Sequence, residues 1–282
     1  MIIRDIFAPL AFSRTLLQVS SLASVVGIYS TLAVWMEASS FSDIGYMPSQ
    51  FHAALSLTLS CLLVFRTNSA YSRWWEARTL WGILINASRN FSIKLTCLIR
   101  LSEHEMQFLQ TRIIEFPTAL MSHLRIASPP NSGPRTEGGS SDGNHRPSIV
   151  VQQLYDWLAT QKANGRLDGD AMRIIDVELA KFLEVCGGCE RIARTPMVRS
   201  YRVFARQCIL LFLLTLPWGI VSDFHWWTIP LATITAYFMI GMEVVAEHVE
   251  EPFGLDEDDL DLNGLCNTIK CSVQEIFACE SH

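Results

Sequence analysis

The sharpest change of pattern along the chain falls between Phe51 and Asn90. From Phe51 to Phe65 no residue is charged; Arg66, Arg73, Glu76, Arg78 and Arg89 then follow, interleaved with Trp74, Trp75 and Trp81. No Pro or Gly interrupts the stretch before Gly82. A helix that leaves hydrocarbon and continues into water has this composition, with tryptophan at the boundary. Three other apolar segments accompany it. The first, about 16–35, is uncharged and long enough to cross a ~30 Å hydrocarbon layer. Another is apolar from Cys208 to Val221 and reaches back to Val203 if Arg206 snorkels. The last runs from about Trp226 to Val245, beyond a short connection at Ser222, Asp223 and Phe224. The pattern predicts four membrane spans, at about 16–35, 51–65, 203–221 and 226–245.

The region between the second and third spans, about 66–202, is too polar for a membrane and too long for a loop. Helical periodicity runs through Asn86–Arg125 (Ile93, Cys97, Leu101, Phe108, Leu109, Ile113, Phe116), and resumes over Val150–Gln161 and Asp170–Val185. Between them, residues 126–148 include SPPNSGPRTEGGSSDGNHRP, whose Pro, Gly, Ser and Asn mark a flexible loop. No alternating strand pattern appears. The expected fold is all-α: one domain over 1–282, with a helical cytosolic region continuous with the spans and an acidic tail over 250–282.

Charge fixes the direction of the spans. All 22 Lys and Arg lie in three zones: Arg4 and Arg14, Arg66 to Arg206, and Lys270. Both short connections, 36–50 and 222–225, are free of them. Because Lys and Arg accumulate on the cytoplasmic side, the termini and the middle region are expected inside, with four crossings. An integral protein of the plasma (inner) membrane, surrounded by lipid, fits this reading. With a net charge of -6, nucleic acid is not an expected partner. The eight cysteines have no framework spacing and read as reduced thiols.

Candidate chemistry is sparse. Leu57, Cys61 and Phe65 recur every four residues on one helix face, which either lines an apolar constriction or packs in the bundle. His52 is a candidate for the pore mouth at the outer end of the same span, although a boundary histidine needs no such role. The acidic run from Glu250 to Asp261 could bind calcium, which takes six to eight oxygens, or pair with the basic middle region. Cys186-Gly-Gly-Cys189 is a lone CxxC and reads as a structural turn. Glu243 and Glu247 are either paired intramembrane carboxylates or part of a helix end already in water. No zinc-protease or phosphate-loop motif occurs, so an enzyme is not expected.

Residues 65–82 (FRTNSAYSRWWEARTLWG) resemble the signature of the bestrophin family, especially its bacterial-type members. So do CERIARTP at 189–196, LTLP at 214–217, WWTIP at 226–230 leading to Gly241-Met-Glu243, EPFG at 251–254 and LCNTI at 265–269. The blocks stand in family order over nearly the whole chain outside 126–148. The resemblance implies a homopentamer with one pore on the fivefold axis and a second constriction in the cytosolic part. Its neck would be lined by Leu57, Cys61 and Phe65, with Cys61 where the family more often has a bulkier group. The permeant species it implies are small inorganic anions, chloride among them; a monovalent-cation channel is the alternative. A reading of another class is a membrane metal-dependent enzyme or scaffold using Glu243, Glu247 and the acidic turn. The resemblance also aligns the acidic turn with the calcium clasp of animal members: Asp256 and Asp259 match its carboxylates and Ala8 its backbone partner. Against calcium, Leu255 stands where those proteins carry an acid, and Glu251 replaces an amide.

Overall fold

The computed structural model describes residues 14–39, 48–127, 145–255 and 259–280. Among these the chain is all-α, with eight α-helices: α1 (Arg14–Glu37), α2 (Ser49–Leu98), α3 (Glu103–Ala127), α4 (Arg146–Ala163), α5 (Gly169–Arg194), α6 (Arg199–Phe224), α7 (Thr228–Glu250) and α8 (Leu262–Glu280). Two compact units divide them. The first takes α1, α2 as far as Ser72, α6 and α7; the second takes α2 from Arg73, then α3, α4, α5 and α8.

Helix α2 has 50 residues, without the break that a change from apolar to charged sequence often brings. Its buried positions explain the continuity. Leu59, Leu63, Arg66 and Ala70 in the first unit recur in steps of four, three and four, and Ala77, Trp81, Leu84, Ser88, Phe91 and Leu95 in the second in alternating steps of four and three. Within each unit that is heptad spacing, which keeps one face of a helix against its neighbours.

The first unit is built inside out relative to a water-soluble bundle. On α1, Val19, Ala23, Ser30 and Ala33 are buried, while Leu17, Leu22, Val25, Ile28 and Leu32 point outward. Small residues inside and large apolar ones outside suit a lipid environment, where close backbone approach rather than hydrophobic burial drives association. Helices α1 and α7 run antiparallel, with Gly27 against Thr233 and Gly241 against Val19. A Cβ at Gly27 would stand 2.3 Å from Thr233 Oγ1, so only glycine fits. Tyr29 ties α1 to α6: its hydroxyl donates to Leu214 O (3.0 Å) and accepts from Trp218 Nε1 (2.7 Å). Three stretches are long and apolar enough to cross a membrane: Leu17–Glu37, Gln50–Leu98 and Arg199–Glu250, the last comprising both α6 and α7. These two helices are joined by a 3-10 turn at His225–Trp227, later than the expected 222–225 connection, with His225 in the positive-φ region (φ 46°). Trp226 and Trp227 are exposed there, as interfacial aromatics are.

The second unit has an ordinary core. Phe182 of α5 lies 5.8 Å from Phe91 of α2 and 4.9 Å from Phe116 of α3 between ring centroids. The periodic stretch 86–125 is divided at 99–102 because Ser102 and Glu105 form a capping box: Ser102 N donates to Glu105 Oε2 (2.9 Å), and Glu105 N to Ser102 Oγ (3.4 Å). The expected turn at Cys186-Gly-Gly-Cys189 is instead the interior of α5, with both thiols buried and free. Gly188 serves close packing: a Cβ there would lie 2.9 Å from Leu80 Cδ1 of α2. The expected 126–148 loop falls largely on 128–144, outside the described residues.

Candidate functional site: a channel face and its charged support

The predicted stripe on α2 faces away from its own unit. Leu57 is 69% and Phe65 68% exposed, and Cys61 is exposed between them. The open face continues in both directions through Ala54, Thr58, Val64, Asn68 and Ser72. Across the helix, Leu59 and Leu63 pack with Phe212, Leu213 and Leu216 of α6 and Ala232 and Ala236 of α7. One side of α2 is therefore fixed to the bundle while the other presents a ladder with an apolar segment at 57–65. A constriction so lined would exclude water or admit it according to its width, since an apolar neck narrow enough dewets.

His52 does not share this face. It is 4% exposed, its ring packs at a centroid distance of 6.2 Å from Phe212, and it covers Gly219 of α6 so closely that a Cβ there would stand 2.2 Å from Nδ1. The ring is turned into the helix bundle, and an ion passing the exposed face of α2 would not meet it.

Beneath the stripe lies a network of charges. Arg66, one residue after Phe65, is 0% exposed. Its Nη2 donates to Glu250 Oε2 at 2.8 Å, and its Nε lies 3.6 Å from Glu243 Oε2. Glu250 Oε1 accepts from the Met197 N–H at 2.9 Å. Arg206 of α6 completes the group, with Nε 3.1 Å from Glu243 Oε1 and Nη2 2.7 Å from Glu247 Oε2. Two guanidinium groups thus meet three carboxylates from the 243, 247 and 250 face of α7. Arg66 was expected to mark the emergence of α2 into water, and Arg206 to snorkel. Both instead join α2 and α6 to α7, and removing a charge from such a set leaves its partner buried without compensation. Glu243 and Glu247 are accordingly paired with arginines and not with each other. The arrangement holds no nucleophile beside a base, so it supports position rather than catalysis.

Of the acidic turn, Asp259 is described and Asp256 and Ala8 are not. The carboxylate of Asp259 folds over the Pro252–Phe253–Gly254 turn, where a Cβ on Gly254 would come within 2.6 Å of Oδ2. The same turn is closed by Leu260 N donating to Pro252 O at 3.1 Å.

The family described as bacterial/fungal bestrophin protein matches residues 7–275. The chain belongs to the bestrophin family. A relative in Mesorhizobium japonicum, named a voltage-dependent anion channel-forming protein, is 32% identical over 266 residues, 93% of this chain and 84% of its own. A protein of the same description in Escherichia coli K12 is 31% identical over 235 residues, covering 79% and 74%. Among solved structures, a mutant of the bacterial bestrophin homolog from Klebsiella pneumoniae superposes with a TM-score of 0.83 at 23% identity, over 95% of this chain and 99% of that one. Bestrophin membership makes the chain a multi-span membrane protein of a channel family and not an enzyme, which sets aside the membrane-enzyme alternative considered from sequence.

Proposed function

We propose that this bestrophin assembles as a homopentamer in the plasma (inner) membrane, both termini cytoplasmic, and conducts small inorganic anions, chloride among them. The observation that carries the reading is the exposed apolar ladder of Leu57, Cys61 and Phe65 on a helix whose opposite face is packed. Repeated around a symmetry axis, that ladder forms a hydrophobic neck. The relatives' description as voltage-dependent anion channel-forming proteins supports anions as the permeant species. No charge lies on the neck itself, so its preference would come from cheaper dehydration of large anions and from charge outside the neck, not from a binding site. Four crossings, with α6 and α7 as separate spans, keep the Lys- and Arg-rich segments on one side and the connections that lack Lys and Arg on the other. Purified protein in planar bilayers tests the reading: anion-carried current is expected, and absence of any conductance in protein that remains folded would remove the channel assignment.

A further inference from the structure

In the second unit, three metal-ligating side chains converge from three helices. His123 lies near the end of α3, His145 caps the start of α4, and Glu190 is on α5. Both imidazoles direct Nε2 at the same carboxylate oxygen, Glu190 Oε1, at 2.7 and 2.6 Å. The two rings are 4.6 Å apart between centroids, and one ligand atom from each residue lies within 4.8 Å of the others. All three side chains are partly buried, reachable by an ion from solvent yet held by the fold. Nothing in the channel face or in the Arg66 network uses them.

We propose that His123, His145 and Glu190 bind a borderline transition-metal dication of the Zn2+ type. Two neutral imidazoles and one carboxylate, with water in the fourth position, form an ordinary tetrahedral zinc donor set. Metal–ligand bonds of ~2.0–2.2 Å need donor atoms roughly 3.3 Å apart, a spacing that small side-chain rotations reach from the present one. Imidazole nitrogen is a poor ligand for calcium or magnesium, which take oxygen, so the site selects against hard cations. A supporting group is already in place: Ser148 Oγ lies 2.7 Å from His145 Nδ1 and can accept its proton once Nε2 is on the metal. The existing Ser148 N–H bond to Nδ1 (3.2 Å) would give way to that contact. Arg194, with Nη2 3.7 Å from Glu190 Oε1, opposes a cation, but its side chain is 59% exposed and has solvent to turn into. Because His123 and His145 bracket residues 124–144, a bound ion would clip the two ends of that segment to α5.

The test uses the full chain in detergent. Cobalt(II) should give the strong visible bands of a four-coordinate site at one ion per chain, without sulfur-to-cobalt charge transfer, and zinc should displace it while excess calcium should not. His123→Asn and His145→Asn, each able to keep a hydrogen bond to Glu190, should weaken zinc binding more than tenfold, whereas His104→Asn should leave it unchanged. A sulfur charge-transfer band in the unaltered protein, displacement by calcium, or equal zinc affinity in the His123 and His145 variants with helix content intact would overturn the proposal. The cobalt spectrum needs no variant, so a substitution that fails to fold leaves the test standing. The readout is independent of conductance.

Discussion

The guanidinium of Arg66 donates to the carboxylate of Glu250 at 2.8 Å, and neither side chain reaches solvent. They lie 184 residues apart in sequence. The pair joins α2, which carries the exposed stripe of Leu57, Cys61 and Phe65, to α7, the last helix of the same unit. Arg66→Met should cost about 3–5 kcal/mol of stability, because Glu250 is left buried and charged. Glu250→Leu should cost a similar amount. The double variant should lose clearly less than the sum, since the two losses share one origin. Chemical denaturation of detergent-solubilised protein measures this; additive losses would mean the two side chains do not depend on each other.

A second prediction concerns close packing between α1 and α7. Gly27→Ala places a methyl group 2.3 Å from Thr233 Oγ1, and overpacking of this kind costs about 1–3 kcal/mol. Thr233→Ala removes the offending oxygen, and the double variant should recover most of the loss. Thermal unfolding of the four proteins in one detergent decides it; a double variant no better than Gly27→Ala alone would show that the helices do not meet there.

The proposed neck can be probed through the exposed thiol of Cys61. A charged methanethiosulfonate reagent should change the single-channel current of the unaltered protein and leave a Cys61→Ala variant unaffected. Cys186 and Cys189 should stay silent, because burial pushes their thiols up, that of Cys186 to about 12, and keeps them protonated. An equal response with and without Cys61 would take this residue off the pore lining.

Acid should loosen the second unit in a defined range. The hydrogen bond from Arg166, with smaller contributions from Ser102, holds the Glu105 carboxyl at about 2, against an ordinary 4.5. A carboxyl whose folded value is depressed stabilises fully above its unfolded value and loses that contribution as pH falls through the folded one. Stability should therefore drop between about pH 4.5 and pH 2, and more steeply in the unaltered protein than in Arg166→Gln. Unfolding curves across that range provide the check; parallel pH profiles would contradict the linkage.

Much of the all-helical architecture is legible in the chain because long apolar runs and uninterrupted helical periodicity leave few alternatives. The continuity of α2 could be read from the lack of Pro and Gly between Phe51 and Gly82, and the stripe at 57, 61 and 65 from its spacing. The burial of Arg66 is not legible there, because a charge at the end of an apolar run looks the same whether it enters water or meets a buried carboxylate. The available signal was Glu243, Glu247 and Glu250, three acids on one face of an otherwise apolar helix. Gly187 and Gly188 suggested a turn, yet one of them admits Leu80 against α5, a contact only the fold reveals. His123, His145 and Glu190 come from three separate helices, so no local spacing could have joined them.

Anions are the ions expected to cross the proposed Leu57–Cys61–Phe65 neck. The most direct measurement is the reversal potential of the purified protein in a planar bilayer with potassium chloride at two concentrations. The current should reverse close to the chloride equilibrium potential and shift when chloride is replaced by a large organic anion. Reversal at the potassium potential, unmoved by that replacement, would contradict it.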